Sequence, residues 1–147
     1  MAATLEVRRL TTADLCLLCA VSEGIFDDPV DPVQAGAFLA DPGHEIVVAF
    51  LNGVVVGMAT GTVMLHPDKR PTMFINEVGV HEANRRQGIA TLIVQSLLDV
   101  ARARGCDGVW LGTEADNGSA RGLYDKLGAR ATEGVVIYDW DGMMNEG

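Results

Sequence analysis

The 147-residue chain has few aromatic residues, 5% of the total, and little positive charge, with 11 Lys and Arg against 20 Asp and Glu. A formal net charge of -9 argues against a nucleic-acid surface, because neutralising phosphates requires a field of cations that this chain lacks. Cationic partners are favoured instead, although acidity also serves solubility. Long apolar runs are missing too. No stretch approaches the roughly 20 residues of a membrane span, and Met1-Ala2-Ala3-Thr4-Leu5-Glu6 lacks the basic-then-apolar layout of a secretory leader. The expectation is a cytoplasmic protein without a membrane partner. Cysteine is scarce and odd in number, so Cys16, Cys19 and Cys106 are read as reduced thiols, Cys16 and Cys19 as buried structural ones. Cys16-Leu17-Leu18-Cys19 has the spacing of a zinc or redox pair, but no second ligand pair follows it. His44, His66 and His81 are scattered, so no metal site is expected. Neither G-x-x-x-x-G-K-[ST] nor G-x-G-x-x-G occurs, which leaves ATP and NAD without a seat.

What is present suffices for one compact domain over 1–147, with 48% apolar and 21% charged residues. Leu5 to Arg8 reads as an opening strand, and Thr11 or Thr12 can cap a helix carrying Leu15, Leu18 and Cys19. A second helix is expected over Val33 to Leu39, after an acidic Pro-containing turn. Asn52-Gly53, between the runs Glu45 to Leu51 and Val54 to Ala59, is a strong hairpin signal. Strands over Met73 to Val80, Val109 to Leu111 and Val135 to Trp140 alternate with helices over Ile89 to Arg104 and Ser119 to Leu127, the helices closed by Gly105 and Gly128. The order is β-α-α-β-β-β-α-β-α-β, an α/β fold with a mixed central sheet and helices on both faces.

Between the strand ending at Val80 and the long helix lies Arg85-Arg86-Gln87-Gly88-Ile89-Ala90-Thr91. A glycine at such a turn lets backbone amides approach an anion, and the helix start adds unpaired N–H groups and the positive end of the dipole. Arg85 and Arg86 reverse the sign of the local field in an otherwise acidic chain. Ala90 and Thr91 are small enough not to block approach. The turn can hold a pyrophosphate, or it can be a solvated surface.

The pattern R-x-x-G-x-A, following a strand and opening a helix, resembles the GNAT acetyltransferase superfamily signature. Asn117 to Gly128 resembles a second element of that superfamily, N-x-x-A-x-x-L-Y-x-K-x-G. The likeness covers nearly the whole chain and implies the GNAT fold, an acetyl-CoA cofactor and acetyl transfer to an amine. It also implies that Val78, Gly79 and Val80 pair with the pantetheine arm, that residues 85 to 91 hold the pyrophosphate, and that Asn117, Ala120 and Tyr124 lie along the cofactor. Gly79 suits a bulge or a close backbone approach, or else crowding against a packed neighbour. Within the superfamily the turn and the strand before it are most similar to the aminoglycoside 3-N-acetyltransferases.

Amide formation needs a base for the amine and an acid for the departing thiolate. The resemblance implies Tyr124 as the acid, with packing on the cofactor as its other reading. Glu77, turned by alternation away from its neighbours, is the base candidate, acting through water or with a raised pKa, unless it is a structural carboxylate. His81 is a spare base. Three acidic clusters could gather an acceptor's ammonium groups: Asp27, Asp28 and Asp31; Glu114 and Asp116; and Asp139 with Asp141, which would share one strand face. Each could equally be solvated charge. The expected acceptor is a polycationic amine, with the 3-amino group of an aminoglycoside first. Polyamines, small amines or protein amines come second, and a non-catalytic acyl-CoA-binding module third. The exposed final strand offers a route to a homodimer.

Overall fold

The computed structural model describes residues 4–143, so Met1 to Ala3 of the N-terminal stretch read above lie outside it. The chain divides into two compact units, Met1–Gly112 and Thr113–Gly147. The first is built on a five-stranded sheet of order β1-β2-β3-β4-β5, comprising Leu5–Arg9, His44–Leu51, Val54–Met64, Thr72–Val80 and Gly108–Trp110. The first four strands are antiparallel, and β5 joins β4 in parallel. Asn52 and Gly53, both with positive φ (51° and 81°), make the two-residue turn between β2 and β3 that their sequence announces.

Helices cover both faces of this sheet. On one, the short α1 (Leu15–Cys19) and α2 (Pro32–Ala40) enclose Ile46, Val48, Phe50, Val55 and Met58 together with Leu10, Leu18, Ile25 and Ala35. Thr11 opens the 3-10 turn before α1 through a reciprocal capping box with Asp14. Asp31 caps α2 by accepting from Val33 N–H at 2.8 Å. On the other face, α3 (Ile89–Ala103) packs across β2, β3 and β4, burying Ile89, Ile93, Val94, Leu97 and Ala101. Leucine and isoleucine at helical spacing account for that face, each such side chain stabilising by about 1.5–3 kcal/mol when buried.

One buried charge ties these layers together. Glu45, 4% exposed, receives both Arg9 and Arg104, the latter at 2.5 Å from the C-terminal end of α3, and Arg104 also donates to Pro42 O at 2.7 Å. Removing the carboxylate would strand two guanidinium groups, both of which still reach water. Glu45→Ala is therefore expected to lower unfolding free energy by about 2–3 kcal/mol, below the figure for a fully buried pair. Urea denaturation checks this, and a loss within about 0.5 kcal/mol would contradict it.

In the second unit α4 (Gly118–Lys126) is capped by the Asn117 side chain on Ala120 N–H at 3.0 Å and ends before Gly128, whose φ is 85°. The expected strand over Val135 to Trp140 does not form; this stretch is irregular, with Ile137 and Tyr138 each 81% exposed. Its side chains favour a strand, but a strand exists only when its backbone groups find a ladder, and no strand pairs with this one among the described residues. Asp139 and Asp141 therefore share no strand face. Cys16 also departs from expectation. It lies on the exposed side of α1, while Cys19 and Cys106 are half-buried and all three are free thiols. A helix this short buries one stripe, and Leu18 takes it.

Candidate functional site

Strand β4 carries the decisive local feature. Its register against β3 runs Thr60 to Glu77 and then Gly61 to Ile75, so Asn76 is an extra residue bulged out of the ladder. Strict alternation would put Glu77 on the same face as Met73 and Ile75, which are buried on the α3 side. The bulge moves Glu77 to the opposite face, alongside Thr60 and Ile46, beneath α1 and α2. Asn76 is held by donating to Thr62 Oγ1 at 2.8 Å. Gly79 follows on the same face as Glu77, and a Cβ there would lie 2.3 Å from the carbonyl oxygen of Ile25. Of the alternatives for Gly79, the structure shows crowding against a packed neighbour, the backbone of Ile25; the bulge itself is three residues earlier.

Glu77 borders a cavity of about 320 Å³. Its walls are mainly apolar, with Leu18, Phe26, Val30, Ala35, Phe38 and Ile46, while Asp27, Asp28 and Asp31 supply negative charge from the loop before α2. The structure thus brings the first acidic cluster and the base candidate to one place. Asp31 serves two purposes, since it is also the cap of α2. Glu77 keeps an exposed side, and partial desolvation on its cavity side, with the charge of Asp27 second, pushes its carboxyl above the ordinary range. Thr60 belongs to this site as well and was not foreseen: the register that places it beside Glu77 depends on a bulge that side-chain periodicity does not announce. Its hydroxyl is buried without a hydrogen-bond partner.

After β4 a 3-10 turn over Glu82–Asn84, capped by His81, leads into residues 85 to 88, all exposed. Arg86 and Gly88 both have positive φ, 65° and 76°. A Cβ on Gly88 would meet nothing within 4 Å, so the glycine answers a conformational need and leaves open space over the helix start. The first α3 bond reaching back into the turn is Leu92 N–H to Gly88 O at 3.3 Å, which leaves the opening amides of the helix facing that space. Arg85 folds back, its Nε donating to Val80 O at 3.3 Å. The pairing of β4 with β5 stops at Phe74 and Trp110. From Ile75 to Val80, therefore, no strand among the described residues pairs with the edge of β4 away from β3. An extended ligand could add there as a strand does, with its anionic end at the turn.

Residues 14–129 match the family model described as Acetyltransferase (GNAT) family. The chain belongs to this acetyltransferase family. Among curated relatives of this GNAT chain, N-alpha-acetyltransferase RimI of Mycobacterium tuberculosis is 31% identical over 121 residues, covering 81% of this chain and 74% of that one. N-alpha-acetyltransferase 30 of Schizosaccharomyces pombe is 40% identical over 81 residues, and that match spans 55% of this chain and 54% of the relative. Among solved structures, an aminoglycoside acetyltransferase from an uncultured soil metagenomic sample, in complex with sisomicin, superposes with a TM-score of 0.82 at 22% identity, covering 92% of this chain and 95% of that one. An aminoglycoside N-acetyltransferase of the 6′ type in complex with CoA gives 0.79 at 18% identity, covering 96% and 97%. At these identities the structural likeness concerns the fold.

Acetyl-CoA is the cofactor of the GNAT family, and the residues present fit it. The open glycine turn, the two adjacent arginines and the edge of β4 beyond Phe74, unpaired among the described residues, suit a diphosphate joined to an extended amide-bearing arm. The remaining candidates lie in the second unit. Glu114 and Asp116 are exposed beside the cap of α4, and Asp139 and Asp141 are exposed in the irregular stretch. Asn117 and Ala120 are joined by the capping bond itself. Tyr124 is half-buried on α4, and burial pushes its phenol above the ordinary value. His81 is engaged as a cap, its Nδ1 accepting from Ala83 N–H at 3.2 Å.

Proposed function

We propose that the chain is an acetyl-CoA-dependent N-acetyltransferase working as one domain over 1–147, with the 3-amino group of an aminoglycoside as its acceptor. The observation that carries the reading is the bulge at Asn76, which puts a carboxylate on the acid-rimmed cavity just ahead of a free strand edge and an anion-binding turn. Val78, Gly79 and Val80 offer backbone groups to the pantetheine arm, and Arg85 to Thr91 offer amides and charge to the diphosphate. Bound acetyl-CoA supplies a thioester carbonyl and a thiolate leaving group. Glu77, its proton affinity raised by burial and by Asp27, draws a proton from the acceptor's ammonium, directly or through water, and leaves the amine free to attack. Tyr124 would give its phenol proton to the sulfur that leaves and would regain one from the second N–H that the amine loses on becoming an amide. Asp27, Asp28 and Asp31 hold further ammonium groups, and Glu114, Asp116, Asp139 and Asp141 are offered as additional acidic contacts.

A second reading has its own support. The cavity's apolar side chains suit an amine that carries an apolar group, as a peptide N-terminus can, and two curated relatives are N-alpha-acetyltransferases. A thiol-release assay with acetyl-CoA separates the two, using a panel of aminoglycosides, polyamines and short peptides. Turnover confined to aminoglycosides, with the product acetylated at the 3-amino group by NMR, supports the first reading. Turnover confined to peptides selects the second, and turnover of no amine rejects both.

A further inference from the structure

The hydroxyl of Thr60 is the one buried side-chain polar atom among the described residues without a hydrogen-bond partner, in a residue 4% exposed to solvent. Buried hydroxyls in a packed sheet normally find a partner, because one left unmade forfeits its hydration for nothing in return. Its neighbours on the cavity face narrow the choice. Across the ladder on one side lies Ile46, which has no polar side-chain atom; on the other lies Glu77. Along its own strand Met58 offers no strong acceptor, and the Thr62 hydroxyl is engaged by Asn76 and His44. Every titratable group lining the cavity is acidic, Asp27, Asp28, Asp31 and Glu77, so no cation competes to hold the Glu77 carboxylate.

We propose that Thr60 is a positioning residue for Glu77, its hydroxyl donating a hydrogen bond to the carboxylate when that group is ionised and turned into the cavity. The inference rests on the reading of Glu77 as the base. The bond fixes which carboxylate oxygen faces the acceptor, and it favours the charged form that accepts a proton. It also opposes burial and Asp27, both of which favour the neutral form. These opposing influences together set the proton affinity of the carboxylate.

Thr60→Val keeps the shape and removes the donor, whereas Thr60→Ser keeps the donor. Titration of the Glu77 side-chain carboxyl carbon by NMR in the intact chain should show the Val variant taking up its proton roughly one pH unit higher than the unsubstituted protein, with the Ser variant unchanged. In the thiol-release assay, the acidic limb of kcat/KM should move up by the same amount, about tenfold in rate at a pH below both limbs, with KM for acetyl-CoA unaltered. Should the Val variant fold poorly, Thr60→Ala is titrated in its place. If the carboxyl of the variant titrates as in the unsubstituted protein, the inference is overturned. If the carboxyl shifts as expected while no amine is turned over, the hydrogen bond stands and the assignment of Glu77 as a base fails.

Discussion

Glu77→Gln is expected to lower kcat by roughly 100-fold or more, with little change in acetyl-CoA affinity, because the amide keeps the shape of the side chain but cannot accept the proton. The pH profile carries the same information. In the unsubstituted protein the rate should fall as pH drops through the raised Glu77 value, where the carboxylate becomes neutral. That limb should vanish in the Gln variant. Asp27→Asn should move it to lower pH, since removing a neighbouring negative charge makes Glu77 easier to ionise. Steady-state kinetics across pH measure all three. A Gln variant within threefold of the normal rate would remove Glu77 from the chemistry.

Gly79→Ala should act on both stability and acceptor binding. The new methyl group would lie 2.3 Å from the Ile25 carbonyl oxygen, and because the obstruction is backbone it cannot turn aside as a side chain could. Either β4 or the segment holding Ile25 must move, at a cost of about 1–3 kcal/mol. That segment runs directly into Phe26, Asp27 and Asp28, so its displacement should raise KM for the acceptor several-fold. Denaturation and initial-rate kinetics on the same preparation test this. A variant as stable as the unsubstituted protein, with an unchanged acceptor KM, would show that the approach of Gly79 to Ile25 constrains nothing.

Much of this was legible from residue order. Asn52-Gly53 fixed its hairpin, the spacing from Ile89 to Leu97 its helix, and Gly88 its turn, because each expresses a local preference that tertiary packing had no reason to oppose. Asp31 was read as an acceptor ligand, yet its first task is to cap α2; a Pro one residue later is the signal for that role. The bulge at Asn76 was not legible. It is a matter of register between two strands, and a single extra residue leaves the composition and the periodicity of Thr72 to Val80 almost untouched. Thr60 was hidden for the same reason. At the C-terminal end, Val135 to Trp140 has strand-favouring side chains at every position but Asp139, which shows that propensity describes compatibility with a sheet and does not provide the partner.

The proposed function requires acetyl-CoA to lie against the edge of β4 beyond Phe74, with its diphosphate at the Gly88 turn. Calorimetric titration of acetyl-CoA into the unsubstituted protein and into Gly88→Val tests this most directly, since a β-branched residue resists the φ of 76° and crowds the open space above the helix start. Saturable one-to-one binding, weakened at least tenfold in a variant that remains folded, is the predicted result. No binding to the unsubstituted protein, or equal affinity in both, would contradict it.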